Sequence, residues 1–430
     1  MKSPPGDPGR LIGYALLALA VAALLNTHFT TALASGRNHD YYAYWIAGRA
    51  LLEGTPLYER ENQLRIAAEW DIPGMHFLYP PLSALPFAPG ALLPPRLAGR
   101  LWVLIQVAVL VVVGRQLAVY WLGDSRGATR AMWLGMGALL LVLYFPTSYI
   151  FMSGQVTFIT AAILLAALRR LEERRDRTAG LLVATGLWIK PTLAPMLLYL
   201  GLKRHWRPLA WAMCFAGIGA VLSLIIFGWS ANVANATVIA GVAGHVKTWI
   251  GYQSAPAFFT RLLAVEHAPL GQYAHLLPAL VIIAQICLML PTLLLLMRRP
   301  WSSLNATGRL AEIGALYAAV VLIGSSSGTH MLFYLTIGLT AVFVHARARA
   351  ERSSSVDSSV MPWLLGWVAA YSLIGFEYFF RHENALSGVV SVFASSKFFG
   401  SVLLLLILWG VIWSDMHGGS RLDSVARGAD

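Results

Sequence analysis

The sequence predicts an all-α polytopic membrane protein. Three observations carry this prediction: hydrophobic residues make up 57% of the chain, charged residues only 12%, and apolar runs of span length recur along it. A soluble domain has about a quarter of its residues charged. Runs of ~20 apolar residues cross the ~30 Å hydrocarbon core as helices, and the sequence does not have the ~10-residue alternating segments of a membrane β-barrel.

Apolar runs define the expected spans. The run that follows Lys2 and Arg10 is longer than the about 7–15 residues of a signal-peptide core, so we interpret it as a retained first span. The runs lie at 11–34, 97–121, 131–150, 156–170, 179–202, 208–228, 276–297, 308–324, 331–346, 361–380 and 397–414.

Run 179–202 is predicted to be a re-entrant hairpin of two half-helices. Lys190 and Pro191 lie in its middle and basic clusters flank both ends, so a straight span would place one cluster outside. Proline breaks a helix because it removes a backbone donor and clashes with the preceding turn. Non-helical backbone at that depth must line a polar cavity or be buried in protein. We therefore expect about ten full spans plus the hairpin, in a single domain over 1–430.

The basic residues predict the orientation of the chain. About twice as many of the 32 Lys and Arg residues fall in expected cytoplasmic segments as outside, in line with the positive-inside rule. Both termini are then cytoplasmic, and segments 35–96 and 229–275 lie on the outer face. The spacing of Trp249, Phe258 and Leu262 predicts an amphipathic helix along the interface, and the first segment has the same character. A net charge of +12 would suggest nucleic acid in a soluble chain, but in a membrane chain it reflects Lys and Arg retained on the cytoplasmic side. We therefore expect membrane lipids as partners and no nucleic acid.

Established motifs for redox or ATP-driven chemistry are missing from the sequence, which contains no HExxH, CxxC, GxGxxG or Walker loop. The segment GSSSG at 324–328 matches GxSxG, but it lies between two apolar runs and not at the strand-to-helix turn of a hydrolase. Cys214 and Cys287 fall inside apolar runs and are expected to be inert core thiols, without disulfide or metal spacing. We expect no cofactor, and no obligatory metal because Asp40 has no second carboxylate at DxD spacing. Any group transfer then needs an already activated donor.

Asp40 is the leading catalytic candidate. It follows the first span within "HDYYAYW", where bulky rings partly exclude water and, with Arg37 and His39, would tune the basicity of the carboxylate. A group that takes a proton from a hydroxyl benefits from such tuning. The alternative is an N-cap for the helix "YYAYWIAGRALLEG", since aspartate satisfies free backbone N–H groups. The residues alone leave both roles open.

Four more polar residues lie in or beside apolar runs. A lysine inside an apolar segment is costly and by default functional, so Lys190 is a candidate phosphate ligand, with snorkelling or a carbonyl partner as the alternative. His330 could donate to a phosphate oxygen, and Arg261 could clamp one bidentately. A merely hydrogen-bonded histidine and a solvated arginine are their alternatives. Gln155 must find a partner, which could be a neighbouring helix.

Six motifs follow one another along the chain: "DYYAYWIAGRALLEGTPLY", "FLYPPLSALPFAPGALLP", "SGQVTFI", "GLWIKPTLAP", "QSAPAFFTRLL" and "SSSGTHMLFY". In this order, over 11–346, they resemble glycosyltransferase family 87. That family contains polyprenol-phosphate-mannose-dependent mannosyltransferases and related arabinofuranosyl enzymes of the GT-C class. The resemblance implies a GT-C-type bundle with outer-face amphipathic helices.

The resemblance also implies roles for individual residues. Asp40 matches the family's general base, and Lys190 belongs to its Lys-Pro motif. Arg261 and His330 match positions near the donor phosphate. The residues expected to contact substrates are His39, Tyr44, Tyr79, Gln155 and Gln253.

The expected reaction is transfer of a sugar, with mannose favoured, from a polyprenyl-phosphate donor to a lipid or glycan acceptor. It would occur at the outer face of a bacterial cytoplasmic membrane and invert the anomeric centre, with Asp40 as base and His330, Arg261 and Lys190 on the donor phosphate. Tyr252 stands where the family pattern has Asn, and no proline precedes His330, so the sugar is open. An arabinofuranosyl or other pentosyl or hexosyl transferase is the alternative within the class. A lipid or solute transporter and a non-enzymatic assembly partner are alternatives outside it.

Overall fold

A computed structural model of the chain divides into two compact units, Met1–Val242 and Ala243–Asp430. The regular secondary structure of the described residues is helical, apart from an isolated antiparallel β-bridge between Tyr252 and Gly328. The single domain over 1–430 stays a prediction. The structure describes residues 7–30, 39–123, 125–244, 246–247, 249, 251–263, 275–352, 360–377, 388 and 390–427.

Some helices of the first unit begin at a capping residue or have proline in their first turn. Asp7 Oδ1 accepts from the backbone N–H of Gly9 at 3.0 Å and caps the first helix. Its helices are α1 (Pro8–Ala23, continued by a π-helical Leu24–Phe29), α2 (His39–Glu53), α3 (Arg60–Glu69), α4 (Pro95–Leu122), α5 (Gly127–Leu143), α6 (Phe145–Ser153), α7 (Thr157–Glu172), α8 (Asp176–Ile189), α9 (Ala194–Leu202) and α10 (Trp206–Gly244), with 3₁₀ turns at Pro81–Phe87, Gly90–Leu92 and Pro191–Leu193.

The second unit is also helical where it is described. Asn305 Oδ1 accepts from the backbone N–H of Gly308 at 2.7 Å and caps the helix Ala306–Ile323, most of whose residues are buried. Its helices are α11 (Ala255–Leu263), α12 (Leu277–Met297), α13 (Ala306–Ile323), α14 (Leu335–Arg352), α15 (Met361–Gly375), α16 (Val390–Ala394) and α17 (Ser396–Arg427), with 3₁₀ turns at Trp301–Ser303 and Thr329–Tyr334.

The helices confirm an all-α multi-span membrane protein, but not the expected ten spans. In the described part of the chain, seven helices are long and apolar enough to cross a bilayer, and the bent pair α5–α6 would make eight. The expected runs at 156–170 and 361–380 form α7, with 16 residues, and α15, with 15. At 1.5 Å per residue such helices are only about 24 Å long, which is short of the ~30 Å hydrocarbon core.

Two expected spans are bent by local backbone features. Run 131–150 is split at Tyr144, so that α5 and α6 meet at 54°, with Pro146 in the first turn of α6. Helix α10 kinks at Gly228 (φ 73°, ψ 176°), where the expected span 208–228 ends, and continues to Gly244. Part of the expected outer segment 229–275 is therefore helical.

The surfaces of the long helices are apolar, as a lipid environment requires. Cys214 and Cys287 are both exposed on such surfaces, so the expectation of core thiols is wrong; a free thiol behaves as a small hydrophobe and suits lipid as well as a core. Helices α1 and α5 approach closely: a Cβ on Gly135 would lie 2.3 Å from the carbonyl oxygen of Gly13. Small residues at such crossings are typical of membrane helix pairs.

Helix α2 forms the centre of the aromatic core of the first unit. Every residue from 41 to 48 is buried, so the helix is enclosed on all sides and not only along one stripe. It packs against α3, α4 and the turn Pro81–Phe87. Helix α3, in contrast, is amphipathic, with Ile66 buried and Arg65 exposed. This enclosure holds the first turn of α2, and with it Asp40, in a fixed position.

Candidate active site

Asp40 lies in the first turn of α2 and makes a long-range contact. The helix begins at His39, so Asp40 is already inside it, where a carboxylate is favoured by the positive end of the helix dipole. Its half-buried carboxylate accepts a hydrogen bond on Oδ2 from Gln155 Nε2 at 2.8 Å. The side chain thus reaches a residue far along the chain. His39 is exposed, and Arg37 lies outside the described residues.

Gln155 is placed by a tight turn that ends α6. Gly154 has φ +74° and accepts on its carbonyl a hydrogen bond from Trp102 Nε1 at 2.8 Å. Gln106 Nε2 donates to the Gln155 carbonyl at 3.0 Å. A Cβ on Gly154 would lie 2.6 Å from Tyr41 Cβ, so the turn is pressed against α2 and only glycine fits. Two side chains of α4 therefore fix the Gln155 backbone beside Asp40.

The Gln155 amide joins Asp40 to three donors. Its Oε1 accepts from Lys190 Nζ at 3.0 Å, from Tyr79 OH at 3.2 Å and from Tyr44 OH at 3.3 Å. This hydrogen-bond pattern fixes the orientation of the amide: its oxygen faces the lysine and the two tyrosines, and its nitrogen faces the carboxylate. We call these five residues the Gln155 cluster.

Lys190 lies at the helix break in run 179–202. Helix α8 ends at Ile189, and Lys190 is extended (φ −158°, ψ 128°), as expected for a residue that precedes proline. Its side chain is 7% exposed, and Nζ lies 5.6 Å from the Tyr79 ring centroid. The break is present, whereas a re-entrant path through the membrane stays a prediction. The Pro191 break is what aims Lys190 at Gln155.

The aromatic residues of the cluster are stacked. Tyr44 lies between Tyr79, at 4.8 Å between centroids, and Phe87, at 4.6 Å. The backbone carbonyl of Tyr79 accepts from Tyr58 OH at 2.5 Å and from Asn235 Nδ2 at 3.0 Å. Burial, followed by the neighbouring Tyr79, raises the pKa of the Tyr44 phenol well above its ordinary value, so this phenol stays a hydrogen-bond donor.

A second group of expected site residues lies in the second unit. The segment before α11 pairs with the turn that carries His330: Gln253 N donates to the Ser327 carbonyl at 3.3 Å, and Thr329 Oγ1 donates to the Gly251 carbonyl at 3.0 Å. The motifs "GYQSAP" and "SSSGTH" are therefore neighbours. His330 is half-buried in the first turn of Thr329–Tyr334.

Gln253 and Arg261 hold this region together. Gln253 is 1% exposed, and its Oε1 accepts from Phe398 N at 3.1 Å, which satisfies a free N–H in the first turn of α17. Arg261 is 3% exposed and donates to the Tyr252 carbonyl at 2.7 Å and to Ser395 Oγ at 3.1 Å. Burial lowers the pKa of Arg261 to about 10, so the guanidinium is still charged at neutral pH.

Sequence reasoning did not single out the residues that support the cluster. Trp102 and Gln106 fix the Gln155 turn, and Tyr58 and Asn235 hold the Tyr79 backbone. An amide inside the apolar run 97–121 was the available signal for Gln106, because a polar group there must find a partner.

The comparison with family models decides the family. The model of glycosyltransferase family 87 matches residues 77–326, which is more than half of the 430-residue chain. The chain belongs to glycosyltransferase family 87. The match includes Tyr79, Gln155, Lys190 and Arg261. Asp40 and His330 lie outside it.

Three curated relatives of the chain are all named as mannosyltransferases. A polyprenol-phosphate-mannose-dependent α-(1-2)-phosphatidylinositol mannoside mannosyltransferase of Mycolicibacterium smegmatis is 28% identical over 249 residues, 52% of this family 87 chain and 55% of the relative. The protein of the same name from Mycobacterium tuberculosis is 27% identical over 199 residues, 44% and 45% of the two chains. A phosphatidylinositol pentamannoside mannosyltransferase of M. smegmatis is 28% identical over 234 residues, 54% of each. The chain therefore spans about half the length of these relatives. No solved structure matches it.

Proposed function

We propose that the protein transfers a sugar, with mannose favoured, from a polyprenyl-phosphate donor to a lipid or glycan acceptor, with Asp40 as general base. The observation that carries the proposal is the Asp40 carboxylate, half-buried and held by Gln155 in a cluster that contains a buried cation. Family 87 membership and the donor named in the relatives support it. The acceptor proposed by analogy with those relatives is an inositol-containing glycolipid or a related glycan.

The proposed chemistry needs one carboxylate. Asp40 takes the proton of an acceptor hydroxyl, the oxygen attacks the anomeric carbon in line, and the bond from that carbon to the phosphate oxygen breaks. The electron pair leaves with the phosphate and the configuration inverts. No protonated acid partner is needed, because a phosphate is stable as an anion, whereas glycosidases use two carboxylates. Cations at the phosphate stabilise the developing charge.

His330 and Arg261 are the proposed ligands of the donor phosphate. Arg261 stays charged because its pKa of about 10 lies above neutral pH. The half-buried His330 follows Thr329, whose hydroxyl donates to the Gly251 carbonyl and so ties segment 327–330 to segment 251–254. The variants His330→Gln and Arg261→Lys should raise the Michaelis constant for the donor. Unchanged donor constants in both would remove these residues from the proposed site.

The donor assay tests the proposed activity. Purified protein is incubated with polyprenyl-phosphate-mannose or polyprenyl-phosphate-arabinofuranose and a phosphatidylinositol mannoside acceptor, and products are identified by mass spectrometry and by NMR of the new anomeric centre. We expect consumption of the mannose donor with inversion. Consumption of the arabinofuranose donor alone would reassign the sugar. A retained configuration would reject Asp40 as a simple base, and no consumption of either donor would reject the proposed function.

Action at the outer face is tested by cysteine labelling in a background lacking Cys214 and Cys287. Glu61 is exposed on α3 in the expected outer segment, and Ser302 is exposed in an expected cytoplasmic loop. In intact bacterial cells, Glu61→Cys should react with a membrane-impermeant maleimide, whereas Ser302→Cys should react only after permeabilisation. The opposite pattern would place Asp40 on the cytoplasmic side and contradict this part of the proposal.

A further inference from the structure

Lys190 and Asp40 are linked through one amide. Lys190 Nζ donates to Gln155 Oε1 at 3.0 Å, and Gln155 Nε2 donates to Asp40 Oδ2 at 2.8 Å. The ammonium of Lys190 and the carboxylate of Asp40 are opposite charges that hydrogen-bond to the same amide. All three side chains lie in the first unit and are at least half-buried. The cation and the carboxylate therefore form one connected, charge-balanced group.

This arrangement bears on the expected role of Lys190 as a ligand of the donor phosphate. A buried lysine needs compensation, because an unpaired charge in an apolar segment is costly. Part of this cost is offset by contacts within the protein: Lys190 Nζ donates to the Gln155 oxygen, lies 5.6 Å from the Tyr79 ring centroid and is linked through the amide to the Asp40 carboxylate. The contacts of Lys190 thus point towards the proposed base.

We infer that Lys190 is a positioning residue for Asp40: through Gln155 it keeps the carboxylate oriented and ionised, and it does not act by holding the donor phosphate. This inference rests on the proposed role of Asp40 as general base. It also assigns Gln155 the role of connector, where the resemblance to the family predicted a substrate contact.

The connector works because the two ends of an amide differ. If the Gln155 amide turned over, its oxygen would face the Asp40 carboxylate and its NH₂ group would face the Lys190 ammonium. Both contacts would then be repulsive, since a carboxylate only accepts and an ammonium only donates. Lys190 therefore locks the amide with its N–H group towards Asp40. The oriented N–H in turn holds Oδ2 of the Asp40 carboxylate in place.

The charges around Asp40 determine in which direction its titration should shift when Lys190 is removed. A nearby cation favours the ionised form of a carboxylate, and removing it favours protonation. Tyr44 stays neutral because burial raises its phenol pKa. The other titratable side chains of α2 are the exposed His39, the buried Tyr41 and Tyr42, and Arg49, which pairs with Glu53 at the far end of the helix. The elements packed against α2 add Arg60, Glu61, Arg65 and Glu69 on α3, Arg96, Arg100, Arg115 and Tyr120 on α4, and Tyr149 on α6, and Tyr79 belongs to the cluster.

Lys190→Met is the central test, with Lys203→Met as a matched control. Lys203 is also 7% exposed in the same unit and lies 5.9 Å from the ring centroid of Tyr199. The carboxyl band of Asp40 is assigned by infrared difference against Asp40→Asn and titrated with pH. We expect Lys190→Met to move the midpoint of that band upwards by about one pH unit or more, the size typical of losing an opposite charge. Lys203→Met should leave the midpoint unchanged, and Lys190→Arg should restore most of it.

The kinetics give a second readout. In Lys190→Met, the acidic limb of the kcat/KM profile should move upwards in parallel with the band, while KM for the donor stays within about twofold of wild type. A donor KM raised at least about tenfold with an unmoved band would overturn the inference and return Lys190 to the phosphate. If Lys190→Met does not fold, the isosteric Gln155→Glu should raise the midpoint too, since it sets a like charge against Asp40. An unmoved midpoint there would also overturn it.

The infrared titration separates this inference from the proposed function. If Lys190→Met moves the titration midpoint of Asp40 but the wild-type protein transfers no sugar, the link between Lys190 and Asp40 is upheld and the proposed transferase function is rejected. If sugar transfer depends on Asp40 but the titration midpoint of its carboxyl band is unchanged in the Lys190 and Gln155 variants, the link between Lys190 and Asp40 is rejected and the proposed function is retained.

Discussion

Asp40→Asn should abolish sugar transfer while the protein remains folded. A general base contributes about 10²- to 10⁴-fold to a rate, so the variant should lose at least about two orders of magnitude in kcat. The fold should survive because the asparagine side-chain oxygen can still accept the hydrogen bond that Gln155 Nε2 donates at 2.8 Å. Initial rates with the polyprenyl-phosphate donor, together with donor binding and thermal unfolding in detergent, measure the two properties separately.

Asp71→Asn is the control for this substitution. Asp71 lies in the same expected outer segment, and its side chain is 96% exposed in a 3.3 Å ion pair with Arg96. Exposed pairs contribute little, so neither rate nor stability should change noticeably. Near-normal turnover of Asp40→Asn would reject the assignment of the base, and a comparable loss in Asp71→Asn would show that the effect is not specific to Asp40.

Gly154→Ala should lower both stability and activity. The new Cβ would meet Tyr41 Cβ at 2.6 Å and the Tyr41 backbone nitrogen at 3.2 Å, and φ is +74°. A non-glycine residue in this conformation costs about 1–3 kcal/mol, and an overpacked core contact costs a further 1–3 kcal/mol or so. The turn must shift, which carries Gln155 away from Asp40, and a displacement of about 1 Å can cost 10²-fold in rate. Thermal unfolding and initial rates are the measurements.

Gly54→Ala isolates the backbone part of that effect. Gly54 has a similar φ of +66°, but a Cβ there would meet nothing within 4 Å. It should therefore show only the cost of the backbone conformation, about 1–3 kcal/mol, with transfer unaffected. Equal destabilisation of the two variants, or an active Gly154→Ala enzyme, would contradict the close approach of the Gln155 turn to α2.

The local features of the fold could be predicted because their causes are local. Pro191 acts on its immediate neighbours, so the break beside Lys190 follows from the sequence. The bend between α5 and α6 had the same kind of signal in Pro146, but run 131–150 reads as continuous because its apolar character does not change there. Composition identifies apolar runs, but it does not determine which of them are long and straight enough to span.

The contacts of the site could not be predicted in the same way. The residues Asp40, Gln155 and Lys190 were selected individually, from an acid after a span, a polar group in an apolar run and a buried cation. Their connection joins positions 115 and 35 residues apart, and nothing in the local sequence encodes it. Arg261 and Gln253 show the same limit. Their expected contacts with the donor and the substrates stay predictions, and the structure adds hydrogen bonds to distant backbone groups that the sequence did not indicate.

Three hydrogen-bond donors share Gln155 Oε1, and a carbonyl-type oxygen has only two lone pairs. One donor is always in excess, and the tyrosine hydroxyls, at 3.2 and 3.3 Å, are held less tightly than the lysine. In the proposed reaction, the hydroxyl of the half-buried Tyr79 could therefore turn to an oxygen of the sugar without leaving the amide unsatisfied, whereas Tyr44 is fully buried and keeps its place. The first unit thus holds one more hydrogen-bond donor beside Gln155 than the amide oxygen needs.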